Sequence, residues 1–147
     1  MANLLDWNTL DHKVKAYIDA ENGIDSEQKA FPILMVAALL DVSDEEAEDS
    51  ITDGSKDRGV DAIYVDDRDG ANSIHVFQFK YVSSFENTKK NFPSGEIDKL
   101  VSFFEDLLDM NKSMEDTCNP ILWNKVQEIW AALDKPSPSI EVHFCGN

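Results

Sequence analysis

The chain has 147 residues, 42% of them apolar, enough for one domain that buries about two-thirds of the surface its unfolded form would expose. This excludes a disordered tail and a disulfide-stapled mini-protein. Against 13 Lys and Arg stand 29 Asp and Glu, a formal charge of -16, so the surface as a whole repels nucleic acid and anionic membranes at long range.

The N-terminal part is helical in character, with Leu10, Val14, Tyr17 and Ile18 at helical spacing. From Ala30 to Leu40 the residues are apolar almost all round, as in a helix buried in a core, and Pro32 must sit in its first turn or kink it. That run is too short for the ~20 residues a membrane span needs, and no signal peptide is visible. Ser43 followed by Glu46 has capping-box spacing and opens a short helix through Ala47 to Ile51. Val60 to Val65 and Ser73 to Tyr81 read as two strands, joined by the turn formers Asp66 to Asn72. Ile97, Leu100, Val101, Phe104, Leu107 and Leu108 mark an amphipathic helix, and Asn119 with Pro120 opens another. Ile140 to Cys145 closes the chain as a strand. It stops at Gly146 and Asn147 without a polar tail, so residues 1–147 are expected to form a single domain, the N-terminal part of a longer protein. The fold class expected from these elements is α/β or α+β, with helices around a small mixed sheet. Cys118 and Cys145 form no CxxC pair, which leaves a reducing, cytoplasmic setting as the expectation.

The hairpin carries the chemistry. A turn centred between Asp69 and Gly70 pairs Val65 with Ile74 and Ile63 with Val76, and sets Asp61 opposite Gln78. Lys80 shares the face of Gln78 because strand side chains alternate, whereas His75, Phe77, Phe79 and Tyr81 point the other way. A carboxylate, an amide and an ammonium at one end of a hairpin suit a metal-dependent phosphodiester hydrolase. Asp61 and the oxygen of Gln78 would hold Mg²⁺, with Mn²⁺ as a substitute, while Lys80 would position or deprotonate the attacking water.

The run Asp53-Gly54-Ser55-Lys56-Asp57-Arg58-Gly59-Val60-Asp61-Ala62-Ile63-Tyr64, followed by Val76-Phe77-Gln78-Phe79-Lys80-Tyr81, resembles the PD-(D/E)xK nuclease superfamily. Within it, the wording DGxxDxGVDAIY and FQFKY is most similar to the N-terminal nuclease-like domain of abortive-infection phage-resistance (AIPR) proteins. The resemblance covers about residues 53 to 81 and implies a restriction-endonuclease-like α/β core, αβββαβ, whose first strand is here short or unrecognised. It gives Asp61 the role of the motif aspartate, Gln78 the second acidic position and Lys80 the motif lysine. Gln78 departs from the consensus, which has Asp or Glu there.

One carboxylate and an amide hold Mg²⁺ weakly, so a further acidic ligand is expected. Glu48 on the short helix, Asp53 and Asp57 are the candidates, with Glu27 a weaker one; Glu46 is spent on the cap. Each has a plainer reading, a solvated helix face for Glu48 and turn residues beside glycine for Asp53 and Asp57. His12, His75 and His143 show no mutual metal spacing, and the Trp residues fit core packing better than base stacking.

Twelve of the acids fall between Asp41 and Asp69, beside the proposed site, whereas phosphate contacts need Lys or Arg. Lys80, Lys89 and Lys90 are the local candidates. Nucleic acid, DNA before RNA, is therefore expected to bind this domain weakly, with affinity supplied by a C-terminal region or an oligomer partner. Two rival readings remain: a nuclease-derived domain that has lost catalysis and serves binding or assembly, and an acidic DNA mimic.

Overall fold

A computed structural model describes residues 4–19, 21, 23–82, 84, 86–87 and 94–147. Its elements run α1 (Leu4–Ala16), α2 (Glu27–Leu40), α3 (Asp44–Asp49), β1 (Ala62–Asp66), β2 (Ser73–Lys80), α4 (Ser94–Leu108), α5 (Met114–Thr117), α6 (Pro120–Leu133) and β3 (Ser139–Gly146). The result is a mixed α/β architecture with a small three-stranded sheet of order β1-β2-β3. Contacts group the chain into two units, residues 1–51, 79–91 and 145–147 in the first and residues 52–78 and 92–144 in the second.

In the first unit, Ser26 caps α2 by accepting from the Lys29 amide, and Asp41 ends it in the left-handed region. The helix thus begins three residues before the apolar run, which puts Pro32 beyond the first turn, inside the helix. The Ser43/Glu46 capping box forms with both reciprocal bonds, but α3 ends at Asp49 rather than Ile51. Val14, Ala30 and Phe31 make the buried centre, with Leu10, Tyr17, Leu34, Phe79 and Tyr81 packed around them. Tyr81 ties this cluster to two acids, its hydroxyl donating to Glu27 at 2.8 Å and Asp11 at 3.3 Å, so Glu27 is engaged in the packing of its own unit.

The second unit is built on the hairpin. β1 and β2 pair antiparallel with Ile63 opposite Val76 and Val65 opposite Ile74, the register that the turn chemistry dictates. The connection holds a 3-10 turn over Arg68–Gly70, with Asp69 and Gly70 at positive φ. β3 runs parallel to β2. The Ser139 amide donates to Asn72 O at one end of the pair, and the Asn147 amide to Lys80 O at the other. Ile63, Ile74 and Val76 form one core with Leu100, Phe103 and Leu107 of α4 and Leu122, Val126 and Ile129 of α6. This places an amphipathic stripe from each helix against the apolar positions of the strands. Trp130 donates its indole N–H to Leu107 O at 2.9 Å, so both ends of a large amphipathic side chain are satisfied.

Candidate metal and phosphodiester site

Between Thr52 and Asp61 the chain leaves and re-enters at one point. The Thr52 amide donates to Asp61 O and its hydroxyl to Val60 O, both at 2.9 Å, which closes the base of the loop. The loop then folds by local chemistry. Asp57 accepts from the Gly59 amide at 2.9 Å and the Gly54 amide at 3.3 Å, while Lys56, Arg58 and Gly59 take positive φ. Gly59 has a second reason to be glycine, since an added Cβ would lie 2.7 Å from Glu96 O and 3.1 Å from Lys99 Cβ. From outside, Arg58 is clamped by Asp106 at 2.8 Å, Ser102 at 3.0 Å and Thr117 at 3.2 Å. Asn119 caps α6 and donates to Thr52 O and Ser55 O, so one side chain both starts a helix and holds the loop.

This folding brings Asp53 and Asp57 to Asp61. One carboxylate oxygen from each lies within 4.8 Å of the others, Asp53 being exposed and the other two half-buried. Burial, and next the Asp57 carboxylate beside it, push the Asp53 carboxyl above the usual carboxylate range. The loop and the start of α4 border an open depression of about 710 Å³, lined among others by Lys56, Asp57, Arg58, Glu96 and Lys99.

The paired register ends at Ala62 opposite Phe77, whose carbonyl accepts from the Asp61 amide at 2.9 Å, and the next residue is Gln78. Its side chain is buried, and its Nε2 donates to Gly59 O at 3.0 Å and Glu96 O at 3.1 Å. Two carbonyl acceptors fix which end is nitrogen, and they explain the amide at this position: an ionised acid would face two carbonyl oxygens with no proton to offer. The Oε1 atom is buried without a hydrogen-bond partner. Lys80, two residues on, is half-buried at the end of β2, on the same strand face as Gln78.

Glu48 is exposed on α3 in the first unit, where it borders a depression with Tyr17, Asp19 and Asp44. Lys89 and Lys90 lie outside the described residues. Burial raises both thiols, Cys145 to about 11, which suits inert packed cysteines. Among the described residues no helix is long and apolar enough to cross a membrane.

Sequence spacing hid a second cluster. His75 on β2 and Glu141 with His143 on β3 offer three ligand atoms within 4.8 Å of one another. The two histidines, which show no metal spacing in the sequence, are packed and hydrogen-bonded in the fold, as strand histidines commonly are: His75 Nδ1 lies 3.0 Å from His143 Nε2. Only the parallel pairing of two strands far apart in sequence makes them neighbours; the visible signal was alternation, which puts Glu141 and His143 on one face. His75 is pushed below its usual range, chiefly by burial.

No protein-family model, curated protein or solved structure matches the chain.

Proposed function

We propose that this chain is a divalent-metal-dependent phosphodiester hydrolase, a nuclease domain of the PD-(D/E)xK type such as phage-defence proteins of the AIPR kind carry. The observation that carries the reading is the convergence of Asp53 and Asp57 on Asp61, the aspartate at the entry to the hairpin. Three carboxylates are the oxygen donor set that Mg²⁺ or Mn²⁺ takes, and a cation would offset the burial and the Asp57 carboxylate that together raise Asp53. The open acceptor on Gln78 adds a neutral oxygen of the kind such ions accept. On this reading the bond between Thr52 and Asp61 stands for the short first strand of a restriction-endonuclease-like core.

The reaction is attack of water oxygen on phosphorus, rupture of the bond to the leaving oxygen, and transfer of a proton from the water to that leaving group. A bound divalent ion supplies Lewis acidity toward the phosphoryl oxygens and a lowered pKa for water. Asp53, Asp57 and Asp61 would hold it. Lys80 would orient the water and offset negative charge as it builds on the phosphoryl oxygens.

A second reading, a nuclease-like domain without catalysis, is favoured by one observation: the Gln78 amide is committed to bridging two backbone carbonyls. Calorimetric titration of Mn²⁺ into wild type and Asp61→Ala separates the readings. A discrete site lost in the mutant, with nucleic-acid cleavage that Lys80→Ala abolishes, is the expected result. The same site without cleavage supports the second reading, and identical isotherms overturn the metal assignment at Asp61 and with it the first reading.

A further inference from the structure

The geometry points to a separate site for a zinc-class divalent ion, formed by His75, Glu141 and His143. His75 Nδ1 lies 3.0 Å from His143 Nε2 and 3.2 Å from Glu141 Oε2, and His143 Nε2 lies 3.8 Å from the same oxygen. Donors bound at about 2.0–2.1 Å to one tetrahedral ion stand about 3.3 Å apart, so the triangle has the right size and needs only small side-chain shifts to close.

The sheet builds the set. Glu141 and His143, two residues apart, share one face of β3, and parallel pairing lays that face beside His75 on β2. Phe77 packs on the His143 ring at 4.6 Å between centroids and 18° between planes, which restricts its orientation. His75 is 7% exposed, whereas the Glu141 side chain is 57% exposed, so one side of the triangle is open to a water or an exchangeable ligand.

The donor chemistry selects the ion. Two imidazoles and one carboxylate suit zinc and its neighbours in the first transition row, while Mg²⁺ and Ca²⁺ prefer oxygen throughout. The aspartates of the loop make the opposite choice. The site does not rest on the nuclease reading, because it shares no residue with it.

Zn²⁺ is titrated into the full chain in a large excess of Mg²⁺, for wild type, Glu141→Gln, His143→Gln and Asp61→Ala, with the visible absorption of added Co²⁺ as a second readout. One equivalent is expected to bind wild type and Asp61→Ala alike. Loss of even an outer-shell partner costs 10–100-fold, so removing a ligand by either Glu141→Gln or His143→Gln should weaken binding at least about tenfold and quench the tetrahedral Co²⁺ bands. Unaltered affinity in both ligand variants, loss only in Asp61→Ala, or no binding to wild type would overturn the site. Glu141 is exposed, so Glu141→Gln decides the matter if His143→Gln fails to fold.

Discussion

At the scale of single residues, the acids of the loop store an unfavourable interaction. The Asp53 carboxyl is raised by burial and by its neighbour Asp57, so the folded state holds its proton to higher pH than the unfolded chain does. The contribution to stability therefore falls as pH rises from the unfolded Asp value, about 3.9, through the raised folded one. Asp53→Asn is accordingly expected to raise Tm at neutral pH and to flatten the loss of stability across that interval, as followed by thermal unfolding at a series of pH values without divalent ions. Mn²⁺ should raise the wild-type Tm but leave Asp53→Asn nearly unmoved, because the variant lacks a carboxylate of the set. Gln78 belongs to the same scale. Its amide joins the loop at Gly59 to the first turn of α4 at Glu96, and this structural task is a physical reason for the departure from an acidic residue there.

At the scale of elements, the loop over residues 53–60 is held by contacts that no local pattern announces. Gly59 sits at positive φ against Glu96 O, so Gly59→Ala meets both the left-handed penalty and a clash with backbone. A loss of about 2–4 kcal/mol is expected in chemical denaturation, from ~1 kcal/mol of conformation and ~1–3 kcal/mol of overpacking. Asn119→Ala should cost about 2–3 kcal/mol, because the cap of α6 is worth ~1 kcal/mol and two loop carbonyls lose a donor. Equal losses in Asn119→Ala and Asn119→Ser would show that the cap, which Ser can supply, is not the larger part. The elements themselves were largely legible: the capping box at Ser43, the cap at Asn119 and the amphipathic stripe through Leu100 and Leu107 are local rules, and each forms where its residues stand. The start of α2 was misplaced because Glu27 to Lys29 are polar, and the cap that Ser26 supplies lies outside the apolar run.

At the scale of the whole molecule, charge dominates. A net charge of -16 opposes phosphate binding by the very chain proposed to act on phosphate. The chain alone is therefore expected to bind DNA or RNA weakly, and a sub-micromolar Kd at about 0.15 M salt in a filter or anisotropy assay would contradict this. Divalent ions should strengthen binding more than an equal ionic strength of NaCl does, since they cancel charge at the loop rather than screen it generally.

The sequence by itself determined the hairpin and its register, the helix caps and the amphipathic faces, because each depends on residues within a few positions of one another and on alternation that a one-residue slip would destroy. Tertiary structure alone decided which acids join Asp61, how the Gln78 amide is used and that His75 meets His143. Those meetings depend on a loop closed at Thr52, on α4 packed over Gly59 and on β3 returning parallel to β2, and long-range closure of this kind leaves no periodic trace in the chain.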